Sequence, residues 1–365
     1  MNRRAFRLLA GCMALAYAPF GHAQPAGAVG DDFVYRIRPA DTLIDLASRY
    51  TGDGANWVTL QKLNRVEDPQ KLAIGLALHI PFSLIPVVPA PLTAIHVSGS
   101  TQMDGKPLRA GMSVPEGATI ITESDGFATL DFADGTRLSL PNNSTARVDR
   151  TQKFKNAGLI DSVVSVQNGE VDSEVAPTGQ GVGRFEIRTP VTIVGVRGTR
   201  FRLQATGTGA QSEVLHGKVD MSAGAGGSAP PVAVAGGQGA AVDVHGQIQV
   251  HTLPPAPIVT PPQRGASGQW VARVTPVPGA VAYLVRISRD PKGLEVFTSE
   301  RFEGEEVRLV ARRPGTHYAS IRALNAAGLG GYDTVLSFEG ASPLMSGSGH
   351  PVLLSDGAIV TLNNY

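Results

Sequence analysis

Catalysis by side chains needs a nucleophile, a base or a metal held at a short and defined spacing. The chain offers eight histidines: His22, His79, His96, His216, His245, His251, His317 and His350. None forms an HExxH pair, and no two lie one residue apart, so no zinc site of that kind is encoded. His245 and His251 fall on one face of an extended segment; with no carboxylate cluster nearby they read as a solvated pair. No GxSxG turn exists to raise a serine nucleophile. Gly179-Gln180-Gly181-Val182-Gly183 is glycine-rich, but it lies between strands with no helix after it, which makes it a loop and not a phosphate cradle. A glycosidase working with carboxylates alone would leave no motif; the other motif-bearing classes are missing. The expectation is a protein that is not an enzyme, with no cofactor and no metal.

The only cysteine, Cys12, lies in an N-terminal stretch built for export. Met1 to Arg7 carries three arginines, Leu8 to Ala18 is apolar, and Gly21-His22-Ala23 supplies small residues for cleavage, so residues 1–23 read as a signal peptide. The apolar run is too short to cross about 30 Å of hydrocarbon. Cleavage after Ala23 removes Cys12, and with it any disulfide, thiolate metal site or cysteine nucleophile. Arg3-Arg4-Ala5-Phe6 resembles a twin-arginine signal, an alternative to ordinary Sec export. Leu9-Ala10-Gly11-Cys12 resembles a lipoprotein box, but only Leu8 to Gly11 precede the cysteine as an apolar run, and lipidation of Cys12 is the lesser expectation. No later segment reaches 18 uninterrupted apolar residues, so no transmembrane span is expected. The mature protein belongs in the periplasm or outside the cell. With 32 Lys+Arg against 31 Asp+Glu, the net charge of +1 lacks the basic surplus of a nucleic-acid binder.

These features sit in a chain of 365 residues, 42% hydrophobic and only 6% aromatic, with 43 Gly and 26 Pro. That length and composition favour two or three domains made of short strands and turns. Proline-rich runs at Phe82 to Leu92 and Leu253 to Gly268, and the Gly/Ala/Ser/Pro stretch Ser222 to Pro231, read as spacers, because proline removes an amide donor and stiffens the chain. They divide the chain into pieces at 31–81, 94–252 and 268–340, with a tail at 341–365. In the first piece Phe33 to Arg38 alternates as a strand. Asp41 or Thr42 can cap a helix from Leu43 to Tyr50, a second helix runs near Trp57 to Leu63, and Leu76 to Ile80 closes as a strand. The order is βααβ.

Tyr35-Arg36-Ile37-Arg38-Pro39-Ala40-Asp41-Thr42-Leu43, Leu46-Ala47, Tyr50, Leu63-Asn64 and Ile80-Pro81 together resemble the LysM module. The resemblance implies binding of peptidoglycan or a related N-acetylglucosamine polymer. Carried over by position, the glycan-binding loops are Pro39, Ala40, Asp41, Thr42 and Leu43, then Asn64, Arg65, Val66, Glu67 and Asp68. Two residues depart from the family pattern. Ala40 stands where glycine is common and disfavours a turn with positive φ; Ile74-Gly75-Leu76 replaces a Pro-Gly-polar turn. A single millimolar site supplies only about −4 kcal/mol, so one copy acts as a tether unless contacts are multiplied.

The central piece alternates short strands with turns such as Asp134-Gly135. Thr189-Pro190-Val191-Thr192-Ile193-Val194-Gly195-Val196-Arg197-Gly198-Thr199-Arg200-Phe201, with Gly126-Phe127-Ala128, Phe132-Ala133-Asp134-Gly135-Thr136 and Asn168-Gly169-Glu170-Val171, resembles a FecR domain. That family takes its name from a membrane-spanning signal relay. With no span here, the resemblance implies an all-β fold and not the relay. Gln269-Trp270, Tyr283 to Ser288 and Tyr318 to Asn325 are similar to a fibronectin type III-like β-sandwich with Trp270 and Tyr283 in its core. The expected whole is a mainly β multidomain envelope protein. It binds wall glycan through its first module and presents the other two to envelope partners; the alternative is a periplasmic signal-relay or envelope-assembly component that recognises a protein ligand.

Overall fold

The computed structural model describes residues 27–177, 182–196, 198–223, 230–264, 270–310 and 314–340, with short pieces of 342–362. The export signal with Cys12, the start of the glycine-rich loop at Gly179 to Gly181, Arg197 and Gln269 lie outside the described residues. No helix among the described residues is long and apolar enough to cross a membrane.

The first unit is a three-stranded antiparallel sheet in the order β1 (Gly27–Val29), β2 (Asp32–Arg36), β3 (Ala77–Pro81), packed against two helices. Helix α1 (Leu43–Thr51) starts at Thr42, whose Oγ accepts the Asp45 N–H at 3.2 Å. It ends at Gly52, which takes φ 75°. Leu43, Leu46, Ala47 and Tyr50 recur on its inner face and are buried. Tyr50 packs its ring against Phe33 and Tyr35 at centroid distances of 5.0 and 5.4 Å. Helix α2 (Trp57–Asn64) stops at Arg65 in the left-handed region. The βααβ order is therefore present, with β1 added; three residues are too few to carry an alternation pattern.

The central unit is two antiparallel-rich sheets that share one long strand, Ile160–Glu174. Its first part pairs with Ser144–Phe154 and, in parallel, with Val182–Arg188. From Gly169 onward it pairs with Arg200–Thr206 and, near its end, with Arg137–Leu140. The crossover needs a glycine at 169. Its φ is 87°, and a Cβ there would lie 2.5 Å from the Asn143 carbonyl oxygen and the Ser144 Cα. The alternating residues of both sheets face each other as one core, with Leu130, Val166, Phe185, Phe201, Val214 and Met221 buried. Asp134-Gly135 forms the turn between Phe127–Asp131 and Arg137–Leu140, as its composition predicts.

The C-terminal unit has a sheet of three strands, Gln263–Arg264, Trp270–Arg273 and Glu306–Leu309. A four-stranded sheet faces it, in the order Val296–Phe302, Ala280–Ser288, Gly315–Asn325, Thr334–Gly340. Tyr283, Val285, Ile287, Val307, Leu309, Ile321 and Phe338 fill the space between. Tyr283 is buried, and its hydroxyl accepts the Val277 N–H at 3.1 Å. Trp270 is half-buried against that core and donates its indole N–H to the Glu339 carbonyl at 2.6 Å.

The proline runs are not free spacers. β4 (Val87–Pro89) pairs with Gln152–Phe154, and the Pro86 carbonyl accepts the Lys155 N–H at 2.8 Å. An edge strand that bonds through carbonyls tolerates proline. The next strand, β5 (Leu92–Ser98), already belongs to the central core. After Leu253 the second run lies along the sandwich: Thr260 donates to the Arg273 carbonyl at 2.9 Å, and Thr275 to that of Ile258 at 2.8 Å. The first unit is likewise seated on the central unit, which serves as a platform for both neighbours. Phe82 stacks on Phe154 at 4.1 Å, and Ala157 and Leu159 complete the core beneath α1.

Candidate glycan-binding loops

The two loops flank the same end of the helix pair. The Leu43 N–H, at the start of α1, donates to the Pro69 carbonyl at 3.3 Å, which ties the first loop to the end of the second. The opposite end of α1 meets the platform: Asn156 Nδ2 donates to the Arg49 carbonyl at 2.7 Å, and Pro86 lies against Gly52. Nine residues of helix, ~13 Å, separate the two ends, so the loops stay open to solvent.

Within the first loop, Pro39 and Ala40 are exposed. Ala40 has φ 69°, the conformation in which the sequence would place glycine. The Asp41 side chain is only 8% exposed and turns inward. Its Oδ2 accepts the Tyr35 hydroxyl at 2.8 Å and the Arg38 N–H at 2.7 Å, and Arg49 stands 3.8 Å from its other oxygen. Burial, then the hydrogen bond to Asp41, pushes the Tyr35 hydroxyl above its usual value. Thr42 is occupied as the helix cap, and Leu43 is fully buried. Asp41, Thr42 and Leu43 thus shape the loop, and Pro39, Ala40 and the backbone form its outer surface.

The second loop divides in the same way. Asn64 Nδ2 donates to the Leu60 and His79 carbonyls at 2.9 and 2.8 Å, while its Oδ1 accepts the His79 N–H at 2.7 Å. The side chain pins α2 to β3. Val66 is half-buried on the core. Arg65, Glu67 and Asp68 are exposed, and Asp68 accepts the Gln70 N–H at 2.9 Å.

One part of this surface lies outside the ten positions. The Gly75 N–H donates to the Ile37 carbonyl at 2.8 Å, and Ile37 donates to that of Leu76 at 3.0 Å. This places Ile74 and Leu76, 69% and 45% exposed, beside the first loop as an apolar patch suited to covering a sugar face. Its sequence signal is the departure at Ile74-Gly75-Leu76, where two apolar residues flank a turn glycine.

A family model described as LysM domain matches residues 35–81, and one described as FecR protein matches residues 118–220. The chain carries a LysM domain followed by a FecR domain, types associated with binding and signalling outside the cytoplasm; the first implies N-acetylglucosamine-containing glycans as ligand. No curated protein matches. Among the solved structures that match are two crystal structures of a candidate anti-sigma factor from Parabacteroides distasonis, 19% and 18% identical. Each alignment has a TM-score of 0.30 and covers 37% of this chain and 59% of that one. At that level the likeness carries no functional reading.

Proposed function

We propose that the protein is a non-catalytic component of the bacterial cell envelope that binds peptidoglycan N-acetylglucosamine through its LysM domain. It holds the FecR domain and a fibronectin type III-like sandwich toward envelope partners. The observation that carries this reading is the open pair of loops on a domain whose opposite end is fixed to the platform. Ligand would be met by Pro39, Ala40, Arg65, Glu67 and Asp68 with the loop backbone; Asp41, Thr42, Leu43, Asn64 and Val66 act by holding those loops. Backbone N–H and C=O groups there suit acetamido groups, and Ile74 and Leu76 suit the sugar face. Export to the periplasm or beyond belongs to the same reading. A second reading, a signal-relay or envelope-assembly component recognising a protein ligand, draws on the FecR match.

Co-sedimentation of the full chain with purified sacculi tests the first reading. Retention is expected, and Arg65→Ala with Glu67→Ala lowers it while the fold is kept. A folded chain that stays in the supernatant overturns it.

A further inference from the structure

The platform face that receives the sandwich is charged. Along the shared strand, Glu170, Asp172 and Glu174 alternate with buried Val171 and Ser173. Asp172 lies directly opposite Arg202, and Arg202 opposite Glu213. The sandwich adds Arg286 and Arg322 from its two central strands and Asp333 from the turn after them. Glu170 accepts from Arg286 Nη2 at 2.8 Å and from Arg322 Nη2 at 2.9 Å. Arg202 is 1% exposed; its Nε lies 2.9 Å from Glu213, its Nη1 3.8 Å from Asp333, and its Nη2 donates to the Gly331 carbonyl at 2.6 Å. Glu213 also accepts the Gly330 N–H. Asp172 reaches Arg286 at 4.0 Å.

The seam thus brings the guanidiniums of Arg202, Arg286 and Arg322 against the carboxylates of Glu170, Asp172, Glu213 and Asp333, one acid in excess of the bases that pair with them. Across the remaining neighbour strand, Gly239 faces Glu213 and brings no charge. Arg137, Glu174, Arg200, His216 and Lys292 stand at the rim, in a cleft of about 450 Å³ that Asp172 and Asp333 also line. An uncompensated carboxylate where water is scarce is costly, and binding a proton relieves it. Consistent with this, burial pushes Glu213 up to about 7 against the pull of Arg202, and burial pushes Asp172 up as well against the pull of Arg202, Arg200 and Arg286.

We propose that docking of the C-terminal sandwich on the platform is proton-linked: the seam takes up one proton, shared between Glu213 and Asp172, and holds the sandwich more tightly in a mildly acidic medium than in a mildly alkaline one. A carboxyl that binds its proton more tightly docked than free favours docking as pH falls through its docked value, and the gain levels off near its ordinary value. This makes the relative placement of the two β units a reporter of envelope pH.

Hydrogen exchange of the full chain, corrected for intrinsic rates, reads this at about pH 5.5 and about pH 8.5. Amides in 202–214 and 326–333 are expected to lose ~30-fold protection at the higher pH relative to those of α1. Glu213→Gln makes the seam insensitive to pH over this range. Asp172→Asn, which leaves three guanidiniums facing three carboxylates, also flattens the response and serves where Glu213→Gln does not fold. Equal protection at both pH values, or an undiminished response in folded Asp172→Asn, overturns the proposal.

Discussion

Asn64 and Asp41 do by side chain what most loops do by backbone. Asn64 satisfies a carbonyl at the end of α2 and both polar backbone groups of His79, fifteen residues away. Asn64→Ala strands those groups and is expected to destabilise the LysM domain by ~2 kcal/mol in urea unfolding. Ala40 has the opposite sign. At φ 69° an alanine is strained, and Ala40→Gly is expected to raise stability by ~1 kcal/mol in the same measurement. The position of the loops, and the strain at Ala40, were legible in the sequence because caps and turn residues act within a few positions. The inward turn of Asp41 and Asn64 was not. It depends on where Tyr35 and β3 lie, and no local pattern encodes that.

At the scale of elements, one glycine holds the platform together. At Gly169 the long strand leaves one sheet and joins the other, with Asn143 and Ser144 where a side chain would go. Gly169→Ala combines a disfavoured φ with a backbone clash and is expected to cost more than ~3 kcal/mol, seen as a large drop in thermal midpoint. The all-β character of this region and its Asp134-Gly135 turn were readable from alternation and composition. The role of the proline runs was not, since proline is counted against strands by its missing N–H. Pro86 lies at an edge where the carbonyl does the bonding, and Pro89 falls between two bonded positions of the same edge.

Over the whole molecule, the three units share surfaces in two different ways. The LysM domain meets the platform around an apolar centre, with Asn156 on the Arg49 carbonyl and Arg184 on Asp31 beside it, so Phe154→Ala removes the ring under Phe82 and is expected to lower the domain's stability by ~3 kcal/mol, measured as its hydrogen-exchange protection in the full chain. The sandwich meets it through charges that alternate along the strands as a solvent-facing row would, which is why its docking could not be read from hydrophobic pattern. Both attachments leave the proposed glycan-binding loops pointing outward. An isotope-labelled full chain titrated with an N-acetylglucosamine oligomer tests that arrangement most directly. Saturable shifts confined to amides of 40–43, 64–68 and 74–76 are predicted; a folded protein with no shifts there, or with shifts only on the platform and sandwich, contradicts it.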